Sequence, residues 1–379
     1  MLGCEMQKLH IVICLAGTAI FSAYLISQKP ANETPANKNN DPYALFEEPG
    51  RMVRLPQGNR LSLYCAGKGE PTVFMEAGFG GGAYEEWHEL QPRLKRITRT
   101  CSYDRAGYGF SELGNDLPRD IRHDVADLHS LLKAANERGP YILVGHSDGG
   151  HIIGAFSDAY PREVAGLVFL DAAVLLDKKQ LSGSVEKPSQ ELQRYYDGQL
   201  AKIHTCLKRA EAATGPLAAS PGDYCLDSDE VAKMPSRMRQ ALAVIAARPD
   251  NWRAFLSEAE QHYLVDDPTW EASLLPHHWQ TLSVRVFTAS VAALDDAHSA
   301  AAYGLPATDH EAIAAARAGR RRWEGLQAHI CELSRDCKVH LIPTAEHEVQ
   351  NAVPDEVAES IRDLIHSFRE LHAEPRLVH

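Results

Sequence analysis

Two hydrophobic rhythms run along this chain. A two-residue rhythm marks strands at Met52-Val53-Arg54-Leu55, from Arg60 to Cys65 and at Thr72-Val73-Phe74-Met75, parted by the turn signals Gln57-Gly58-Asn59 and Gly67-Lys68-Gly69. Ala83 to Lys95 then reads as a helix that Pro92 would end early, and Thr98 to Tyr103 as another strand. From Pro118 to about Glu137, Ile121, Val125, Leu128 and Leu132 recur at helical spacing, closed by Gly139-Pro140. A short apolar strand from Tyr141 leads into a turn and an apolar helix through Phe156. Gly166 to Leu170 is a buried strand that ends at Asp171. The rhythm resumes with a strand at Ser283 to Thr288, a helix from about His310 to Leu333 and a strand at Val339 to Ile342. The closing helix carries Val357, Ile361, Leu364, Ile365 and Phe368 on one face. Strands that alternate with helices predict an α/β fold: a mostly parallel sheet with crossover helices on both faces.

The alternation stops between residues 172 and 281. That segment is rich in helix formers and charges, with Met234, Met238, Trp252, Phe255, Tyr263 and Trp270 scattered through it, and is expected to be an inserted helical cap with those side chains as its own core. The core of the fold is then assigned to residues 46–171 and 282–379. Residues 1–45 form a separate unit: Ile11 to Ile26 is uncharged and mostly apolar, and a polar, Pro- and Asn-rich run follows. Such a leader is a secretory signal peptide or a short membrane anchor, which predicts an exported (periplasmic or secreted) or membrane-anchored protein.

Composition narrows the partners. A net charge of -12 over 379 residues, without a basic stripe, excludes a nucleic-acid partner. The run Arg320-Arg321-Arg322 reads as a solvated face. None of the 18 histidines has a ligand-like spacing such as H-E-x-x-H, so no metal is expected. Apart from Cys4 and Cys14, six cysteines remain, an even number that suits disulfides in an oxidising compartment.

The chemistry concentrates at Gly145-His146-Ser147-Asp148-Gly149, a G-x-S-x-G turn between the Tyr141 strand and the following helix. A serine there must adopt a strained conformation, and glycines on either side let strand and helix come close enough for the reversal. The turn raises the Ser147 hydroxyl above the strand ends and points a helix N-terminus at any nearby oxyanion. His146, inside the turn, reads as a packing residue. No cysteine stands in a nucleophile context.

Val73-Phe74-Met75-Glu76-Ala77-Gly78-Phe79-Gly80, Tyr103-Asp104-Arg105-Ala106-Gly107-Tyr108-Gly109-Phe110-Ser111, Gly145 to Gly150 and the late His347 occur in one order, over roughly residues 50–171 and 282–370. In that combination the chain resembles the α/β-hydrolase superfamily, specifically its serine esterase and haloperoxidase-like group. The resemblance implies Ser147 as nucleophile, His347 as general base, and backbone N–H groups of Phe79 and Asp148 as the oxyanion hole. It implies Asp171 as the triad acid, with Asp295 or Asp296 as the alternative. Two positions depart from the family: Glu76 stands where many members carry His, and Asp148 sets a carboxylate beside the nucleophile, which would disfavour anionic substrates. The resemblance also brings the strands of Cys65 and Cys101 together, sets Cys331 and Cys337 about the turn into the last strand, and lets Cys206 and Cys225 staple the cap. A serine hydrolase of this kind implies no cofactor, and the expected partner is a small-molecule ester. Two other readings stay open, a non-catalytic binding protein on the same scaffold and a cofactor-free haloperoxidase or perhydrolase.

Overall fold

The structure, a computed structural model, describes residues 41–172, 190–264, 279–290, 306, 308–344 and 346–372. Eight strands form within them: β1 (Arg51–Arg54), β2 (Arg60–Ala66), β3 (Thr72–Glu76), β4 (Thr100–Tyr103), β5 (Tyr141–His146), β6 (Val164–Leu170), β7 (Ser283–Ala289) and β8 (Asp336–Ile342). They make one sheet in the order β1-β2-β4-β3-β5-β6-β7-β8. The first three in that order pair antiparallel and every later pair is parallel.

Side chains alternate faces along a strand, so each buried strand feeds two cores. On one face Val73, Met75, Ile142, Val144, Val168 and Leu170 pack with Trp87 of helix α1 (Ala83–Trp87), Leu94 of α2 (Gln91–Leu94), and Ile361 and Leu364 near the C-terminus. On the other, Phe74, Leu143, Leu167 and Phe169 meet Leu128 of α3 (Ile121–Ala135) and Ile153 of α4 (Gly149–Ala159). Each such side chain withdrawn from water contributes about 1.5–3 kcal/mol, and this two-sided burial holds the central strands.

Several expectations are corrected at element ends. The helix read over Ala83 to Lys95 is two short ones, and Pro92 sits in the first turn of α2, where a missing N–H costs nothing. Proline there starts a helix where the sequence suggested an end. Helix α3 begins at Ile121, not Pro118, because the Asp120 side chain accepts from the His123 N–H and caps it. Strand β8 starts at Asp336, ahead of Val339, since it pairs with β7 from Ser283 onward.

Between β6 and β7 the described residues build four helices, α5 (Gln190–Ala212), α6 (Ser228–Val231), α7 (Ser236–Ala246) and α8 (Pro249–Leu264). Met238 and Trp252 are buried, as expected of a local core, whereas Phe255 packs on Phe79 of the main fold. The side chain of Tyr263 and all of Trp270 lie outside the described residues. The chain then returns through β7 to α9 (His310–Ile330), β8, α10 (Val349–Ala352) and α11 (Pro354–His372). The apolar stretch 11–26 and Asp295 and Asp296 are also outside the described residues; among those described, no helix is long and apolar enough to cross a membrane.

Among the described residues three disulfides are formed, Cys65–Cys101 between β2 and β4, Cys206–Cys225 within the insertion, and Cys331–Cys337 leading into β8. The Cys206–Cys225 bond, spanning 19 residues, ties α5 to the irregular stretch that precedes α6. Replacing both cysteines by serine is expected to cost about 3 kcal/mol through the freed loop. Urea denaturation measures this, and an unchanged midpoint would contradict it.

Candidate active site

The parallel strands end on one edge of the sheet, and the candidate residues gather there. Register does the placing: His146 pairs with Leu170, so the residues that follow, Ser147 and Asp171, leave adjacent strands side by side. The Ser147 N–H donates to the Leu170 carbonyl (3.2 Å) and the Asp171 N–H to that of Phe287. Both residues hold a positive φ, 49° at Ser147 and 44° at Asp171, a region that side chains other than glycine seldom adopt. The glycines explain how the turn closes. A Cβ on Gly145 would stand 2.6 Å from the Gly149 carbonyl oxygen, and one on Gly149 2.4 Å from that of Glu76. Strand, turn and helix α4 touch only because those side chains are missing.

His347, on the loop after β8, reaches both neighbours. Its Nε2 lies 2.9 Å from Ser147 Oγ and its Nδ1 2.7 Å from Asp171 Oδ2. Asp171 is fully buried. Its other oxygen accepts from Thr288 Oγ1 (2.6 Å), Trp323 Nε1 (3.0 Å), the Ala289 N–H (3.3 Å) and the Arg320 guanidinium. Burial alone would push the Asp171 carboxyl up, but Arg320 and His347 outweigh it and hold it well below the usual carboxylate range. Arg320 is fixed in turn by donating Nε to the Ala289 carbonyl (2.8 Å). The reading of Arg320 as part of a solvated face is therefore corrected. It and Trp323, three residues on along α9, point together into the site.

His146 also exceeds the packing role expected of it. Its ring is buried, with Nδ1 2.6 Å from Glu86 Oε2 and Nε2 donating to the His347 carbonyl oxygen (3.2 Å). Glu86 further accepts from Gln350 Nε2 (2.7 Å) and from the Gly78 N–H (3.4 Å). Burial disfavours the charged ring, yet Glu86 beside it pushes the imidazole up to about 9. Burial likewise opposes ionisation of Glu86, and His146 overrides it and lowers that carboxyl. One imidazolium thus ties the serine turn, the loop after β3 and the His347 loop together. The signal in the sequence was slight: a polar residue closing an otherwise apolar strand.

Of the two expected oxyanion donors, Asp148 directly follows Ser147 in the chain. Asp148 stands at the N-terminus of α4 and Phe79 follows Gly78, where a Cβ would approach the Ser147 Cβ to 2.9 Å. Glu76 is buried and held by Tyr103 Oη (2.7 Å) and Arg105 Nη1 (3.1 Å). Burial pushes its carboxyl up to about 7.

A profile of the Alpha/beta hydrolase family matches residues 73–360. The chain belongs to that family. Its curated relatives include the uncharacterized protein YbdG of Bacillus subtilis, 31% identical over 134 residues (35% of this chain, 40% of YbdG). Lipase LipV of Mycobacterium tuberculosis is 34% identical over 135 residues, covering 35% of this chain and 46% of the lipase. The matched segment spans less than half the length of either relative. Among solved structures, that of DBJA aligns with 86% of this chain and 100% of its own at a TM-score of 0.57 and 13% identity, a likeness of fold.

The His146–Glu86 pair sets a pH signature. His146 has a folded value above its unfolded value of about 6.5, so its contribution is full below that pH and fades as pH rises through about 9. Glu86 is lowered, so its share is present above about 4.3 and lost as pH falls below. Glu86→Gln, which strands the ring, is expected to cost about 3–5 kcal/mol near pH 6. The deficit shrinks above pH 9. Urea unfolding at both pH values measures it, and a deficit independent of pH would contradict the pairing.

Proposed function

We propose that this protein is a serine hydrolase of the carboxylesterase type, cleaving a small-molecule ester through an acyl-enzyme on Ser147. The observation that carries the reading is the continuous hydrogen-bonded path from Ser147 Oγ through His347 to buried Asp171. A free serine hydroxyl is a poor nucleophile at neutral pH, and an imidazole placed 2.9 Å away removes that obstacle.

The steps follow from those positions. His347 Nε2 takes the Ser147 proton as Oγ attacks the ester carbonyl carbon. The carbonyl oxygen becomes an anion, received by the backbone N–H groups of Phe79 and Asp148, with the α4 N-terminus behind them. The tetrahedral intermediate collapses, and the proton on His347 passes to the leaving alcohol. Water, deprotonated by His347, then attacks the acyl-enzyme and frees the acid. Asp171 stays ionised throughout, holding the imidazole in the tautomer with Nδ1 protonated. Arg320 and Trp323 keep that carboxylate aimed.

Asp148 beside the nucleophile favours neutral over anionic esters. The three disulfides suit an oxidising compartment, and together with the apolar segment 11–26 they support export, with that segment as a leader or tether.

A panel of neutral p-nitrophenyl esters of increasing acyl length tests the reading. Wild-type protein is expected to turn over at least the short members. Ser147→Ala is expected to lower kcat by about 10⁶-fold and Asp171→Asn by about 10⁴-fold. Wild-type protein inert toward the whole panel, or a Ser147→Ala variant with full activity, would overturn it.

A further inference from the structure

The loop from Ala77 to Gly82, which carries the Phe79 N–H, is gripped from two sides. From within the core, Arg105 donates Nη1 to the Ala77 carbonyl (2.7 Å) and Nη2 to the Gly78 carbonyl (2.9 Å). From the insertion, Glu258 on α8 accepts the Gly80 N–H through Oε2 (3.1 Å) and Arg105 Nη2 through Oε1 (2.7 Å). The Tyr108 hydroxyl also donates to Glu258 Oε2. Phe255, three residues earlier on the same face of α8, meets Phe79 edge-on with ring centroids 5.2 Å apart. Gly80 has a φ of 68°, and a Cβ there would lie 2.7 Å from the Phe255 ring. The loop and α8 therefore fit only as a glycine against a phenylalanine.

Other polar contacts seat the insertion on the core beside this point. Asn251 Oδ1 accepts the Gly109 N–H (3.2 Å), Ser257 Oγ accepts the Arg119 N–H (2.9 Å), and Arg248 donates Nη2 to the Ser111 carbonyl (2.6 Å). A cover that swung away from the sheet would break all of these and take one of the two carboxylates from the buried guanidinium of Arg105.

We propose that the insertion is a working part of the oxyanion-binding loop, with Glu258 as its positioning residue. Docking of α8 fixes the Gly80 amide, and the Phe79 N–H is aimed as a consequence. The proposal rests on the reading of Ser147 as nucleophile and Phe79 as an oxyanion donor. It adds that the catalytic geometry exists only while the insertion is seated, so seating of α8 and readiness for chemistry are one event. A displacement of about 1 Å in such a donor is enough to cost about 10²-fold in rate.

Glu258→Ala and Glu258→Gln test this by two readouts. Arg105 keeps Glu76 and both carbonyls in either variant, so its charge is not stranded. Hydrogen–deuterium exchange on the peptide covering residues 77–82 is expected to quicken at least about tenfold in Glu258→Ala, while the β5 peptide is unchanged. With p-nitrophenyl acetate, too small to need the insertion for binding, kcat is expected to fall about 10–100-fold with KM within about threefold. Glu258→Gln retains an acceptor for the Gly80 amide and is expected to recover part of both. Arg253→Ala, which breaks a surface ion pair with Glu211 inside the insertion, is expected to change neither.

Unaltered exchange of the loop in Glu258→Ala would overturn the proposal. So would a loosened loop with undiminished kcat, or an equal loss in Arg253→Ala. A wild-type protein that hydrolyses no ester would end the esterase reading, and the exchange comparison would still decide whether Glu258 holds the loop.

Discussion

A single backbone conformation governs this fold's upper edge: the positive φ of 49° at Ser147. A serine held there is strained, and the strain persists only because neighbouring elements leave the chain no other path. Gly145 and Gly149 let β5 and α4 meet, Gly78 lets the loop after β3 pass over the turn, and the Leu170 carbonyl receives the Ser147 N–H. The apolar sandwich on both sides of the sheet supplies the stability that this arrangement consumes. The same conformation lifts the hydroxyl clear of the strand ends, where an imidazole from the far end of the chain can meet it.

Charge is arranged around that turn in closed groups. Asp171 is answered by Arg320, with His347 hydrogen-bonded beside it, Glu86 by His146, and Glu76 with Glu258 by Arg105. In a medium of low dielectric an unanswered charge would cost more than the site could bear, and each pairing also fixes direction. Three loops depend on them: the Arg105 group holds the loop after β3, the His146 group links that loop to the one bearing His347, and the Arg320 group orients the carboxylate beneath. The residues that face a reacting bond are few, but the ions that hold them come from α1, α8, α9 and the loop after β4.

The sequence disclosed whatever depends on local pattern. The strand from Thr72 follows from its two-residue rhythm, those from Tyr141 and Gly166 from short apolar runs, and the G-x-S-x-G turn from its glycines. Asp171 and His347 followed from position relative to those strands in a resembling family. What stayed hidden depends on partners far off in the chain. Arg320 in a run of three arginines looks solvated until its helix is seen against Asp171. Nothing near His146 in sequence announces Glu86, sixty residues earlier, and nothing near Glu258 announces the Gly80 amide. Pro92 misled for a different reason, since the same residue that breaks a helix interior is welcome in a first turn, and only flanking structure says which applies.

The proposed chemistry requires that the hydroxyl of Ser147 be activated in the folded protein. Treating native protein with a fluorophosphonate and sequencing the labelled peptide by tandem mass spectrometry reads that directly. A single phosphonylated residue, Ser147, formed in native but not in denatured protein, is the predicted result. No adduct on native protein, or an adduct on a different serine, would contradict it.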